Sequence, residues 1–178
     1  MNDFVARPHG GLPAEPCELS ELTWREAQAR DAGAVVTAID DWWPGRHMIL
    51  GVCPQLFEHL GDTSLIVEAP GELVGYLSQR IPDAAYVHYV GVRPDWRGRG
   101  VGPEMHRRFA AVVRERSRTC LVAETGAWNS ESIAFHTRLG FTLEASDEIV
   151  DGLPVHRAVT GLGFDHVRMV LRVEGADG

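Results

Sequence analysis

The stretch "VRPDWRGRGVGPEMHRRF", residues 92–109, leads from a strand-like run into a helix-like one. Glycine occupies positions 98, 100 and 102, immediately before the predicted helix. The first N–H groups of a helix have no backbone partner and carry partial positive charge, so they attract phosphate. Glycine lacks a Cβ and therefore allows the loop backbone to approach such a ligand closely. The stretch predicts a site for a ligand that carries a diphosphate.

The residues around these glycines support that interpretation. Arg97 and Arg99 add positive charge at the rim of the loop, and Pro103 suits the first helical turn, where its missing N–H is not needed. Met105 stands where the dinucleotide fingerprint G-x-G-x-x-G requires its third glycine, and the G-K-[ST] ending of a P-loop is absent. A nucleotide-binding protein therefore fits the spacing poorly.

The hydrophobic pattern on either side of the loop alternates between strands and helices. Strand-like runs are "ELTWREAQ", "TSLIVEA", "ELVGYLSQRI", "AAYVHYVGV", "TCLVAET", "FTLEASDEIV" and "DHVRMVLRV", and helix-like runs are "DAGAVVTAIDDWW", "PQLFEHL", "PEMHRRFAAVVRERSR" and "NSESIAFHTRLG". Asp31 is available as the N-cap of the first helix and Gly140 as the C′ residue of the last. Short connections imply antiparallel neighbours, whereas the helix after the glycines can cross over between two parallel strands. We expect a mixed α/β fold, with a mostly antiparallel sheet of six to seven strands and about four helices.

The composition indicates one ordinary globular domain. The chain has 178 residues, of which 44% are hydrophobic and 24% charged, and its net charge is −8. A flexible extension is expected over residues 1–18 and a single domain over residues 19–174. The acidic balance argues against nucleic-acid binding, and no apolar run approaches the roughly 18 residues that cross a bilayer. Cys17, Cys53 and Cys120 lie far apart, which argues against disulfides or a metal site and predicts a cytoplasmic protein.

Two motifs point to a family. Arg97-x-x-Gly100-x-Gly102 resembles the acyl-CoA loop of the GNAT superfamily of N-acetyltransferases, which has the signature [Q/R]-x-x-G-x-[G/A]. "NSESIAFHTRLGF", residues 129–141, is similar to the superfamily's segment N-x-x-[SA]-I-x-[LF]-Y-x-x-L-G-F. The intervals and the element order also agree, so the resemblance covers roughly residues 20–173. It implies a GNAT-like fold in which the two parallel strands splay apart and an acyltransferase that uses acetyl-CoA.

The resemblance also implies where acetyl-CoA binds. The pantetheine arm would lie between the splayed strands, the loop amides would hold the diphosphate, and one helix would pack on the cofactor. The implied cofactor-binding residues are Val90, Gly91, Val92, Arg97, Gly98, Arg99, Gly100, Val101, Gly102, Asn129, Ser132 and Phe135.

Acetyl transfer to an amine requires removal of a proton from the ammonium and protonation of the leaving thiolate. His136 replaces the superfamily's usual tyrosine, so it is the candidate acid, with a purely packing role as the alternative. In "AYVHYVGV" we expect Tyr86, His88 and Val90 to share a strand face, with Tyr89 on the other. His88 is the first candidate base on that strand. Glu124 on the next strand is the second, acting directly or through water.

The acceptor site is expected near "DDWWPGRH" and the connection "DGLPVHRAVTGLGF" before the last strand. We expect Trp42 and Trp43 to form an aromatic wall for an amine, with Asp40 or Asp41 attracting its charge and Tyr86 as a further contact. The alternative is that at least one of the tryptophans packs into the core. The predicted acceptor is a small-molecule amine, and a peptide or protein N-terminus is the nearest alternative. Another possibility is a non-catalytic CoA-binding module, because the usual tyrosine is missing and the fourth strand has no glutamate. Superfamily members often dimerise through their C-terminal strands, so a homodimer is a further expectation.

Overall fold

The computed structural model describes residues 17–43, 52, 54–80, 85–157 and 165–173. The helices within them are α1 Cys17–Ser20, α2 Ala32–Trp42, α3 Pro54–His59, α4 Val101–Glu115 and α5 Ser130–Arg138, with 3₁₀ turns at Ala29–Asp31, Gly61–Thr63 and Pro94–Trp96. The strands are β1 Thr23–Glu26, β2 Leu65–Ala69, β3 Glu72–Arg80, β4 Ala85–Val92, β5 Cys120–Gly126, β6 Thr142–Leu143, β7 Ile149–Val150, β8 Leu153–Pro154 and β9 His166–Arg172. No helix among these residues is long and apolar enough to span a membrane.

Seven strands form one sheet in the order β1-β2-β3-β4-β5-β9-β6. All neighbours are antiparallel except β4 and β5, which pair in parallel over Ala85–Val87 and Leu121–Ala123. The crossover between these two strands is α4, because parallel neighbours cannot be joined by a tight turn. The predicted mostly antiparallel sheet with one parallel pair is therefore confirmed.

The sheet separates two apolar cores. Met105 and Phe109 of α4 are fully buried, and they pack with β-strand residues such as Leu121 on one face. Ile39 of α2 and Phe57 of α3 pack on the other face. Both helix groups bury residues at intervals of three or four, as amphipathic helices require. The two cores hold the sheet between helices and place the β4–α4 loop at the end of the parallel pair.

A β-bulge interrupts β4 at His88. Ser78 and Gln79 are adjacent on β3, yet they pair with Tyr89 and Val87 of β4, which are not adjacent. His88 is therefore the extra residue opposite β3. Such a bulge reverses the alternation of side chains and re-aims those that follow.

The bulge corrects the sequence prediction for the faces of β4. Val87 and Val90 both belong to the core beneath α4, although they are three positions apart. Tyr86, next to Val87, lies on the opposite face, where its hydroxyl meets Glu124. The expectation that Tyr86 and Val90 share a face is therefore wrong, because simple alternation does not anticipate an inserted residue.

The segment "FTLEASDEIV" does not form the single strand that its pattern predicts. Its first part forms β6 at the sheet edge, and its last part forms β7, which pairs with β8 in a separate hairpin. Asp151 and Gly152 between β7 and β8 have φ values of 49° and 80°, the left-handed pair that a tight hairpin turn needs. Residues 151–154, which were expected to be part of an irregular connection, therefore belong to the β7–β8 hairpin.

Asp31 precedes α2 but does not cap it with its side chain. Its two carboxylate oxygens instead accept hydrogen bonds from the Arg25 guanidinium at 2.7 and 2.8 Å. The same guanidinium binds Glu68 on β2. Asp31 thus has the predicted N-cap position, but its side chain accepts from Arg25 and from the Gln28 amide rather than from an amide of α2, and the ion pair ties the start of α2 to β1.

The predicted end of α5 agrees with the structure. Gly140 follows α5 with a φ of 92°, as a C′ glycine does. Residues 1–16 of the predicted extension lie outside the described residues, and Cys17 and Glu18 begin α1. The single domain over residues 19–174 stays a prediction.

Candidate active site

The parallel pair β4–β5 separates partway along its length. The register ends at Val87 opposite Ala123, although β4 continues to Val92 and β5 to Gly126. Beyond that point neither edge faces a strand of the described residues, so backbone amides and carbonyls there can pair with a ligand. A cavity of about 610 Å³ opens between the two strands, and the β4–α4 loop and α5 complete its wall.

The three glycines of the loop are required for different structural reasons. Gly98 and Gly100 have φ values of 77° and 85°, a left-handed conformation that favours glycine. Gly100 is the N-cap of α4 and supplies no side-chain cap, so the first amides of α4 remain available for a ligand. Gly102 is helical, but a Cβ there would lie 3.0 Å from the Phe135 ring. The glycines therefore shape the loop and let α5 approach α4.

Arg97 makes protein contacts at the rim of the loop. Its Nε donates to the Val92 carbonyl at 3.0 Å, and an Nη donates to the Trp42 carbonyl at 2.6 Å. Its guanidinium lies 5.4 Å from the centre of the Trp43 ring. Trp43 lies against β4, where a Cβ on Gly91 would come within 2.5 Å of the ring. One guanidinium thus joins the loop, the end of β4 and the end of α2.

Asn129 positions the start of α5. Its side-chain oxygen accepts a hydrogen bond from the Ser132 amide at 3.4 Å, and its side-chain nitrogen donates to the Thr125 hydroxyl at 3.0 Å. The side chain therefore caps α5 and links it to the end of β5. Ser132, Phe135 and the remainder of one α5 face follow along the cavity wall.

His136 on α5 is buried at the cavity wall. Its Nδ1 lies 2.8 Å from the Ser132 carbonyl, so Nδ1–H is the donor and Nε2 carries the lone pair. Nε2 is buried and has no hydrogen-bond partner among the described residues. Burial lowers the pKa of His136, against a smaller opposing effect of the bond to Ser132. The imidazole is therefore neutral at neutral pH.

A second buried histidine packs against His136. The ring centre of His106 on α4 lies 5.3 Å from that of His136, at an interplanar angle of 80°. Its Nδ1 donates to the Gly102 carbonyl at 2.9 Å, in the same way as His136 bonds to Ser132. Burial lowers the pKa of His106 to about 4. Nothing in the sequence pattern indicated this pair, because the two residues are 30 positions apart on separate helices.

Glu124 on β5 is the centre of a polar cluster. One of its oxygens accepts from Arg168 Nε at 2.6 Å, and the other from the Tyr86 hydroxyl at 3.4 Å. Arg168 also donates to Glu144 at 3.2 Å. Burial, followed by the Glu124 carboxylate, raises the pKa of Tyr86 to about 12. Both oxygens of this candidate base are therefore engaged by protein groups.

His88 stands at the bulge, with an exposed ring. Its ring centre is 6.3 Å from that of Tyr86 and 6.5 Å from that of Tyr89. His88, Glu124 and His136 all line the same cavity. The structure therefore brings the three candidate catalytic residues to the lining of one cavity.

The predicted cofactor and acceptor residues divide into two groups. Those that line the cavity are Val90, Val92, Arg97, Gly98, Gly100, Val101, Gly102, Asn129, Ser132, Phe135 and Trp43. Gly91 lies beneath the Trp43 ring, Arg99 stacks on Trp96 at 5.0 Å, and Trp42 is buried in the core. Residues 44–47 and 158–164 of the expected acceptor segments lie outside the described residues.

Some cavity residues were not predicted. Glu131 and Arg138 line the cavity on the same face of α5 as Phe135. Their seven-residue spacing along one helix is the signal that could have identified them. Among the described residues no group of three or more metal-ligating side chains occurs.

The cavity fits a molecule with the parts of acetyl-CoA. One end has uncapped helix amides reached through glycines, which suit a diphosphate. In the middle, the facing edges of β4 and β5 have no strand partner among the described residues beyond Val87 and Ala123, which suits an amide-containing arm. The volume lies within the usual range of small-molecule sites.

Comparison with known proteins agrees with this geometry. Residues 18–141 match the model of the acetyltransferase (GNAT) family. An uncharacterized N-acetyltransferase from Methanocaldococcus jannaschii is 33% identical over 70 residues, which are 39% of this chain. The match spans only 30% of that relative's length.

Solved structures share the fold. The ribosomal-protein-S18-alanine N-acetyltransferase from Escherichia coli superposes with a TM-score of 0.65 at 18% identity, over 88% of this chain and 96% of its own. A protein from Salmonella typhimurium, assigned as an acetyltransferase and solved with its cofactor acetyl-CoA, has a TM-score of 0.60 at 21% identity. That match covers 89% of this chain and 97% of the other.

Proposed function

The chain belongs to the acetyltransferase (GNAT) family, which uses acetyl-CoA, and we propose on that premise that it acetylates a primary amine of a small molecule or amino-acid-like acceptor. The acceptor would attack directly while both substrates are bound. One observation supports the proposal: the glycine loop before α4 lines the same cavity as His88 and Glu124. A module that only bound acetyl-CoA would not need these titratable side chains.

The chain's own residues would hold the cofactor along the cavity. The amides of Gly100, Val101 and Gly102 would bind the diphosphate, because they stand uncapped at the start of α4. The free edges of β4 and β5 would bind the pantetheine amides, and Ser132 and Phe135 would line the arm. Bound acetyl-CoA supplies an acetyl group activated as a thioester.

We propose His88 as the group that takes the proton from the acceptor ammonium. Its ring is exposed at the bulge, on the wall of the same cavity. Glu124 is the alternative, but Arg168 and Tyr86 already engage both of its oxygens. Glu124 would act through water or by holding Tyr86 in place.

For His136 the geometry favours the packing role that the sequence left open. Its one N–H is bonded to the Ser132 carbonyl, and burial opposes a second proton. A neutral imidazole held in this way has no proton to give from Nε2. We therefore propose that His136 orients α5 and that solvent protonates the leaving thiolate.

The acceptor is proposed to enter beside Trp43 and the face of β4 and β5 that carries Tyr86 and Glu124. Among the described residues, Glu124 and Glu144 share Arg168, Glu148 and Asp165 share Arg157, and His156 lies 3.9 Å from Glu144. Of these four acidic residues, Glu124 lines the cavity. This excess of negative charge suits a cationic amine. A peptide N-terminus is the alternative, as the name of the Escherichia coli structural neighbour illustrates.

We also propose that the protein is cytoplasmic and forms a homodimer. Strand β6 forms one edge of the described sheet, and Leu143 on it is 37% exposed. Gel filtration with light scattering would test this directly, since a monomer at all concentrations would contradict it.

The proposed function is tested by thermal melting and by thiol release. Excess acetyl-CoA, at about 100 times its Kd, should add roughly 2.7 kcal/mol of stability, whereas NAD and ATP should add none. A panel of amines, amino acids and short peptides then identifies the acceptor by release of free CoA. Binding without transfer to any amine would favour a non-catalytic module.

Variants separate the candidate bases. His88→Gln should lower kcat/KM and remove the limb of the pH profile that reports the base, whereas His59→Gln, at an exposed site on α3, should change neither. Glu124→Gln tests the alternative. If both site variants keep the wild-type kcat/KM and pH profile, the base is water or the acceptor itself.

A further inference from the structure

Three charged side chains form a row across β5, β9 and the chain that follows β6. Glu124 and Arg168 are direct partners in the antiparallel register of β5 and β9. On the other side of β9, the Glu144 amide donates to the Arg168 carbonyl at 2.9 Å. Side chains at such opposed positions lie on the same face of a sheet. Arg168 therefore stands between two carboxylates, one on each side of its strand.

The two carboxylates differ in their exposure. The Glu124 side chain is 8% exposed and lines the cavity, whereas the Glu144 side chain is 41% exposed. A buried carboxylate requires a charged or hydrogen-bonding partner. Among the described residues, the cation paired with Glu124 is Arg168, which is not itself part of the cavity lining. Arg168 is therefore placed to act on the cavity through Glu124.

The two oxygens of Glu124 are held unequally. Arg168 Nε donates to Oε1 at 2.6 Å, a short charge-assisted hydrogen bond. The Tyr86 hydroxyl donates to Oε2 at 3.4 Å, which is longer than the usual O–H···O distance. An ionised carboxylate has about four lone-pair sites. Oε1 is therefore fixed by Arg168, while Oε2 keeps the capacity to accept from a further donor.

The charge of the row favours a donor that is a cation. Arg168 also donates to Glu144, through Nη1 at 3.2 Å, so two carboxylates share one guanidinium. His156 Nε2 lies 3.9 Å from Glu144, beyond hydrogen-bond distance. Glu144 therefore offsets part of the positive charge of Arg168 and leaves negative potential at Glu124.

We infer that Arg168 is a positioning residue, which holds Oε1 of Glu124 so that Oε2 receives the ammonium of the acceptor, directly or through one water. The inference rests on the proposed function and deepens it, because it names the group that would orient the acceptor amine. Orientation of this kind matters for rate, since a misplacement of about 1 Å costs about 100-fold. Arg168 would act through Glu124 and would touch neither the acceptor nor acetyl-CoA.

A double-mutant cycle tests the inference. The kcat and KM of acetyl transfer are measured by thiol release for the wild type, Arg168→Gln, Glu124→Gln and the double variant. The probe is the amine that the wild type acetylates fastest among benzylamine, alanine amide and dialanine. Arg168→Gln should lower kcat/KM about 10- to 100-fold, mainly through kcat. In the Glu124→Gln background the same change should have no further effect, because residues that act through one another are not additive.

Three further measurements separate positioning from a general effect on the fold. Calorimetric titration should show that Arg168→Gln binds acetyl-CoA with wild-type affinity, since Arg168 does not line the cavity. Arg172→Gln removes the same charge from an exposed position on the same face of β9, and it should leave kcat/KM unchanged. Arg168→Lys keeps the charge without the planar fork, so it serves in the same cycle if the glutamine variant unfolds. Its loss should be smaller and should also vanish in the Glu124→Gln background.

The other outcomes overturn the inference. Losses of Arg168→Gln and Glu124→Gln that add would show that Arg168 does not act through Glu124. A lower KM without a lower kcat would show that Arg168 only offsets charge, because removing a cation strengthens the attraction of a cationic probe. An unchanged kcat/KM in Arg168→Gln, or an equal loss in Arg172→Gln, has the same consequence. These results leave the proposed function standing, whereas a wild type that acetylates no amine of the panel contradicts the proposed function itself.

Discussion

An Nη of Arg97 lies 2.6 Å from the carbonyl oxygen of Trp42, so the loop before α4 is bonded to the last residue of α2. The same guanidinium covers the Trp43 ring at 5.4 Å. Arg97, the first residue of the Arg97-x-x-Gly100-x-Gly102 motif, thus stabilises the cavity wall through contacts with other protein groups. Its contacts link the predicted cofactor loop to the C-terminal end of α2, where the predicted acceptor residues Trp42 and Trp43 lie.

Replacing Arg97 with glutamine should therefore destabilise the protein. We expect the free energy of unfolding in urea to fall by about 1–2 kcal/mol, since the hydrogen bonds to the Val92 and Trp42 carbonyls and one exposed cation–π contact are lost. Arg97→Lys should retain less than half of that contribution, because an ammonium cannot serve both carbonyls and the ring together. A variant as stable as the wild type would show that the three contacts contribute nothing.

Gly91 should not tolerate a side chain. Alanine there would place its Cβ 2.5 Å from the Trp43 ring and 3.1 Å from the Trp42 ring. We expect Gly91→Ala to cost about 1–3 kcal/mol of stability, as overpacked core sites do, and to change the emission of the neighbouring tryptophans. Gly33→Ala on α2 is the matched control, because nothing lies within 4 Å of its Cβ. The control should be neutral or stabilising, since alanine favours helix.

The ion pair of Asp31 should make stability depend on acid pH. The hydrogen bonds from Arg25 hold the pKa of Asp31 below its ordinary value of 3.8. A carboxyl with a lowered folded-state pKa stabilises the protein above its unfolded pKa and loses that contribution as pH falls through the folded value. Asp31→Asn should therefore be about 1–3 kcal/mol less stable at pH 7, with the difference shrinking below about pH 4. A difference that stays constant down to pH 2 would contradict this account.

The buried histidines should make the protein less stable as pH falls, at pH values above those at which Asp31 acts. Burial lowers the pKa of His106 from 6.5 to about 4, so the folded protein resists a proton that the unfolded chain accepts. The contribution of His106 to stability then falls as pH drops from about 6.5 towards 4, by about 2 kcal/mol at pH 5. His106→Leu should reduce this slope, measured by urea unfolding at several pH values. His59→Gln, at an exposed site, should leave the slope as it is.

Much of the architecture could be predicted from local patterns. The glycine loop before an amphipathic helix predicted the crossover, and the short turns predicted antiparallel neighbours, because both depend on residues close in sequence. The bulge at His88 could not be predicted, since it depends on how β3 pairs with β4. Asp31 is at the predicted N-cap position, but the ion pair of its side chain could not be predicted, because Arg25 is also held by Glu68, 43 residues away on β2.

For this protein, the sequence by itself determined the family, the mixed sheet and the loop that suits a diphosphate, because glycine placement and hydrophobic period act over a few residues. Only the tertiary structure decided which titratable groups share the cavity and in what state. His136 is neutral because α4 and α5 bury it, and Glu124 is engaged because Arg168 on β9 reaches it. Burial and pairing of charges depend on segments far apart in the chain, which no local pattern records.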